Sequence, residues 1–99
     1  MEDLKLENFS PHLNSKFLVK REPDGVEAVE LELVEAEDLG STPRHEQFSL
    51  LFHGPSSPML EQAIYRFEHQ EMGTFELFIV PIKQREDKIH YEAIFNRPL

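Results

Sequence analysis

A chain of 99 residues holds one domain, and 19 Asp and Glu against 10 Lys and Arg give it a formal net charge of -9 at neutral pH. That balance repels phosphate backbones and anionic lipid, so neither nucleic-acid nor membrane binding is expected, whereas a basic protein partner is compatible with it. With no cysteine, disulfides, thiolate metal sites and cysteine nucleophiles are excluded.

The opening MEDLKLENF is polar and acidic, without the basic and apolar regions of a signal peptide. The longest apolar stretch, residues 77–82, is far too short to span a bilayer, and a cytoplasmic protein is expected. Leu4, Leu6 and Phe9 begin an apolar pattern that Pro11 interrupts, and Asn8 or Ser10 is suited to cap one helical turn through Leu13. Residues 16–20 (KFLVK) read as a strand. Glu22-Pro23-Asp24-Gly25 then has the residues of a type I turn, which predicts a hairpin into the next strand.

Residues 26–38 alternate through Val29, Leu31 and Leu33 against Glu30 and Glu32, although Val29, Leu33 and Ala36 also fall at helical spacing. The preceding turn favours a strand, and the phase slip at Leu33-Val34 predicts a β-bulge. Residues 40–46 read as a loop, residues 47–53 (QFSLLFH) as a strand, and residues 54–58 (GPSSP) as a Pro-rich loop in which regular pairing is not expected. Residues 59–63 suggest one further helical turn. From residue 64 to 96 the period-two alternation is nearly unbroken, with turns at residues 70–73 and 83–87, and this predicts a three-stranded antiparallel meander. Its core face takes Ile64 or Tyr65, then Leu77, Ile79, Tyr91 and Phe95. Pro81 fits a strand end or a bulge. The fold class is therefore all-β and mainly antiparallel: a small six-stranded barrel or sandwich with one or two short helical turns, closure being favoured because the apolar strand TFELFIVPI makes a poor edge.

Four stretches, FSLLFHGP (residues 48–55), LEQAIYRFEHQEMG (60–73), ELFIVPI (76–82) and YEAIFN (91–96), together with LENFSPH and LELVEAEDLG, resemble a family of short bacterial single-domain proteins of unknown function. Tyr65, His69 and Gly73 before the apolar strand are the most specific part. The resemblance implies a compact β-rich domain and supplies no reaction. It also implies an association with phage-tail or tail-fibre-like proteins.

No motif assigns chemistry. His12, His45, His53, His69 and His90 form no H-x-H or H-x-x-x-H pair, so no metal or other cofactor is expected, although a barrel can gather His53, His69 and His90. The parity of His90 with Ile89 and Tyr91 turns it away from the apolar side. Ser49, Ser56 and Ser57 near His53 lack a nucleophile elbow. Gly25, Gly40, Gly54 and Gly73 stand alone, so no phosphate loop is present. Phe75, Phe78, Tyr91 and Phe95 read as core, and Tyr65 and Tyr91 as structural phenols. Glu30, Glu32, Glu35 and Glu37 make a solvated acidic strip, too uniform for a catalytic carboxylate pair. A non-enzymatic interaction module is expected, touching a protein partner through Glu30, Glu32, Glu35 and Glu37 and through Pro55 and Pro58. The alternative is a small ligand-binding or catalytic barrel with its site at the mouth. Homo-oligomerisation through a strand edge is left open.

Overall fold

The computed structural model describes residues 5–20, 28–57 and 59–98; the predicted turn at residues 22–25 and the candidate contact Pro58 lie outside them. Six strands follow one short helix: α1 (Leu6–Phe9), a 3-10 turn (Ser10–His12), β1 (Lys16–Lys20), β2 (Ala28–Asp38), β3 (His45–Pro55), β4 (Ala63–His69), β5 (Gly73–Arg85) and β6 (Lys88–Pro98). Every pairing is antiparallel, and the strands close into a ring in the order β1-β2-β3-β6-β5-β4, with β4 returning to β1. Two meanders, β1-β2-β3 and β4-β5-β6, are thus joined at two seams. The β3–β6 seam is long, running from His45–Pro98 to Pro55–Lys88. The β1–β4 seam spans only three rungs, Leu18–Glu68 to Lys20–Arg66.

Alternation fills the ring. Phe17, Val19, Val29, Leu31, Leu33, Phe48, Leu50, Phe52, Tyr65, Phe67, Phe75, Leu77, Ile79, Tyr91 and Ala93 face inward and are buried. Tyr65, not Ile64, takes the core side of β4; Ile64 is 61% exposed. Phe9 enters from α1 and packs on Phe48, Phe75 and Phe95, with centroids 6.3, 5.7 and 5.9 Å away. Leu60, on the connection from β3 to β4, is buried in the same core, and its N–H donates to the Tyr91 hydroxyl at 2.9 Å. The phenols are structural as expected: the Tyr65 hydroxyl donates to the Glu61 carbonyl at 2.7 Å.

The predicted bulge is present, the β2–β3 register shifting between Leu33 and Glu35. Its cause is visible in the side chains. Without the extra residue Glu35 would share the parity of Leu33 and be driven into the core; with it, Leu33 is buried and Glu35 and Glu37 are exposed. A second register shift, between Pro81 and Lys83, takes the proline into β5.

Several local expectations are corrected. Asn8 and Ser10 do not start the helix; α1 begins at Leu6, and the Asn8 side chain reaches back to accept the Lys5 N–H at 2.7 Å. The 40–46 loop is shorter than expected, since β3 starts at His45 after a Thr42–His45 bridge. The expected helical turn over residues 59–63 is absent, because Leu60 is pulled into the core and Ala63 already pairs with Ile79. The 83–87 turn shrinks to Glu86-Asp87, with Glu86 at φ 58°. Gly54 and Pro55 belong to β3 rather than to a loop, for a reason that concerns the candidate site.

Candidate functional site

The outer wall of the ring carries the acidic strip, and at one end it becomes a cleft of about 270 Å³ lined by Lys16, Glu30, Glu32, His53, Gly54, Pro55, Asp87 and Lys88. Register places these groups together. Glu32 is level with Lys16 on one side and His53 on the other, and Pro55 is level with Lys88. Proline is tolerated at this last rung of β3 because it ends the strand. Gly54 faces inward, where a Cβ would lie 2.3 Å from Leu31 Cδ2 and 3.5 Å from Tyr91. Glycine therefore lets β3 continue past His53 over a full core. Gly54→Ala is expected to cost about 1–3 kcal/mol by overpacking, read as a lower urea midpoint at unchanged slope; an unchanged midpoint would mean that Leu31 has room to move.

Two of the candidate regions thus meet: Glu30 and Glu32 from β2, and Pro55 from the end of β3. Glu35 and Glu37 lie farther along β2, level with Leu51 and Ser49. Lys16 approaches Glu30 at 3.6 Å with both side chains largely exposed, an ion pair worth at most about 1 kcal/mol. The cleft is amphoteric, with two amines and three carboxylates around an imidazole.

Four of the five histidines form two pairs, and the fifth, His45, contacts the Asn96 side chain. His53 and His90 occupy one rung and their rings lie 3.9 Å apart. His90 does face outward, as its parity requires, yet it is only 8% exposed, and its Nδ1 has no hydrogen-bond partner. Burial, then His53, Lys83 and Arg85, lower its pKa from 6.5. His69 does not join them. It lies beside His12, 4.6 Å between centroids. Among the described residues no set of three or more His, Asp or Glu is placed to hold a metal ion.

His69 makes a Ser–His contact that sequence reasoning missed, since its partner, Ser15, is 54 residues away: Nε2 and Oγ are 3.0 Å apart. The proton inventory defines its role. Nδ1 accepts the backbone N–H groups of Glu71 at 3.0 Å and Met72 at 3.1 Å, so it carries no proton. The ring proton is then on Nε2 and is donated to Ser15 Oγ, which donates in turn to the His12 carbonyl at 2.5 Å. A general base needs a free Nε2 lone pair facing the hydroxyl, with a carboxylate at Nδ1. Here both nitrogens are used the other way round, and His69 fastens the β4–β5 turn to the segment before β1. No hydrogen bond links His53 to Ser49, Ser56 or Ser57 among the described residues.

The aromatic platform is also divided. Phe75 and Tyr91 are buried and Phe95 stacks on Phe48 at 4.4 Å, but Phe78 is 51% exposed on the outer face. The signal was in the sequence: Phe78 shares the parity of Glu76, not that of Leu77. Among the described residues no helix is long and apolar enough to cross a membrane.

No curated protein and no solved structure gives a significant match to this chain. One family model does match, over residues 4–95, nearly the whole sequence and all six strands but for the last residues of β6. The chain therefore belongs to the family DUF6916, a domain of unknown function.

Proposed function

We propose that this chain is a non-catalytic protein-interaction module, accessory to a larger assembly of tail-fibre-like or other multi-protein type. One observation carries the reading: Glu30, Glu32 and Pro55, from separate parts of the sequence, converge with Lys16, His53, Asp87 and Lys88 in one outward cleft, over a core of apolar side chains. Mixed charge around a rigid proline suits a polar protein contact whose geometry is set by the strands beneath it. The resemblance to domains that accompany tail-type proteins supports the assembly part of the proposal. A ligand or catalytic site at a barrel mouth has less support, since the inward positions are apolar but for His69, whose ring nitrogens are both bonded, and Phe9 and Leu60 are buried in the same core.

The test is co-purification from the native cell at low salt. The wild-type chain should retain a stoichiometric protein partner, and Glu30→Gln with Glu32→Gln should deplete it about tenfold while costing no more stability than the exposed Lys16–Glu30 pair supplies, both carboxylates being on the outer wall. Recovery of the wild type as a free monomer would defeat the proposal.

A further inference from the structure

The turn between β4 and β5, residues 70–72, leaves Gln70 and Glu71 exposed and sets Met72 half-buried against the core. Its backbone is held by His69, the last inward residue of β4, whose ring lies 4.4 Å from that of the fully buried Phe17. The bonds form one chain. The N–H groups of Glu71 and Met72 donate to His69 Nδ1, Nε2–H donates to Ser15 Oγ, and Ser15 donates to the His12 carbonyl. The far end is anchored on β2, where Asn14 N–H donates to the Leu33 carbonyl at 2.6 Å and Leu33 N–H to that of Ser15 at 3.1 Å. One end of the chain is therefore tied to the sheet, and the other holds an exposed turn.

This chain exists in one protonation state only. An imidazolium has two donors and no acceptor, so no rotation of the protonated ring can receive the two turn amides. Left in place they would face an N–H, whereas a small outward movement lets water accept from them. The opposing restraint is the His12–Glu71 contact at 3.7 Å, whose carboxylate is largely exposed; a screened pair of that kind holds less than the bonds lost. The titratable groups facing His69 are His12 from the 3-10 turn, which disfavours a second positive charge, and Glu71 from the β4–β5 turn, which favours one. Neither strand beside it adds a charge there: β1 presents Phe17 and β5 begins at Gly73, while Glu68, next along β4, pairs with Lys20 at 3.1 Å. Segment 14–15 meets β2 through Leu33, which is apolar.

We propose that residues 70–72 form an acid-released lid: neutral His69 latches the turn to the segment before β1, and its protonation frees the turn to swing into water, uncovering Phe17 and Met72 while the ring stays closed. The ring survives because its pairing does not run through the latch. β4 keeps β5 down to Ala63–Ile79 and β1 from Leu18–Glu68 to Lys20–Arg66. Histidine is the side chain whose charge changes in the mildly acidic range, and apolar surface shown only there is a means of controlling association. The lid is independent of the cleft at Glu30 and Glu32, and the two readings stand or fall separately.

The test follows amide hydrogen exchange and the ring nitrogen signals of the isotope-labelled chain from about pH 7.5 to about pH 5, each rate being divided by its intrinsic value at that pH. At neutral pH the His69 proton should be on Nε2. On acidification the protection of the Glu71 and Met72 amides should fall about tenfold or more, while that of Phe52 and Phe67 in the core is kept. His69→Asn leaves an oxygen near the Nδ1 position and nothing to protonate, so it should keep both turn amides protected in acid. His12→Gln removes the neighbouring charge and the contact to Glu71, and should move the release to higher pH; this arm decides the matter if His69→Asn does not fold. The proposal is overturned by a proton on Nδ1 at neutral pH, by turn protection that ignores pH or falls equally in His69→Asn, by a release that His12→Gln does not raise, or by core amides opening together with the turn.

Discussion

Replacing Phe9 with alanine is expected to lower the free energy of unfolding by about 3–5 kcal/mol, the cost of emptying a fully buried aromatic site. Phe9 is completely buried and meets Phe48, Phe75 and Phe95 at once, so its loss removes the ring that joins the β3–β6 side of the barrel to β5. It is also the one buried residue of α1, which is a single turn and has no intrinsic stability of its own. The variant should therefore show two effects: a lower denaturation midpoint, and rapid proteolysis before β1. A loss of less than about 1 kcal/mol would mean that α1 is not docked in solution.

Replacing His69 with alanine is expected to cost about 2–3 kcal/mol, because it strands the amides of Glu71 and Met72 and removes the donor to Ser15 Oγ. The same geometry makes the fold acid-sensitive. Protonating Nδ1 would turn an acceptor of two N–H bonds into a donor facing them. Burial, and then the nearby His12, lower the pKa of His69 from 6.5, with Glu71 opposing; His90 is lowered too, by burial and then by His53, Lys83 and Arg85. The unfolded chain therefore binds protons that the folded chain refuses. The stabilisation is complete above the ordinary histidine value of 6.5 and is lost as pH falls below it toward the lowered values. Asp38 acts in a separate window. The backbone N–H of Ser41, that of Gly40 and the Ser41 hydroxyl lower its pKa from 3.8, so its contribution persists until pH falls below the ordinary carboxylate range. Urea midpoints measured across the histidine range should fall with acid in the wild type and fall less in the variant lacking both His69 and His90. Equal slopes would refute the assignment.

His90 is the less settled of the two in energetic terms. Its Nδ1 is buried without a partner, so an apolar residue of similar size at that position loses no hydrogen bond from this atom. His69 and His90 thus look alike in the sequence, each on a strand, but one is a fully satisfied fastening and the other an unsatisfied neighbour of the cleft.

What could be read along the chain was whatever depends on neighbours in sequence. Side-chain parity separated core from surface over β2 and β6, and the phase slip at Leu33-Val34 placed the bulge, but β4 was left open between Ile64 and Tyr65, and Phe78 of β5, read as core, is exposed. Local turn chemistry misled where packing overrode it. Gly54-Pro55 has loop composition, yet Leu31 and Tyr91 need the space a Cβ would fill, so the glycine serves a strand. Residues 59–63 lost their helical turn because Leu60 is buried and its N–H is held by Tyr91. The family resemblance anticipated a domain of unknown function, which the match to DUF6916 over residues 4–95 shows, and a β-rich fold, which the six strands show.

The sequence by itself determined an acidic all-β domain with its apolar faces assigned, because a period of two is imposed residue by residue by the extended backbone. Only the tertiary structure decided which strands are neighbours. It brought Glu30, Glu32 and Pro55 to one cleft, paired His53 with His90 and His69 with Ser15, and left β5 and β6 unjoined past Val80–Glu92. Those arrangements follow from ring closure and cross-strand register. Both are set by contacts between residues tens of positions apart, and alternation along one strand carries no record of the strand beside it.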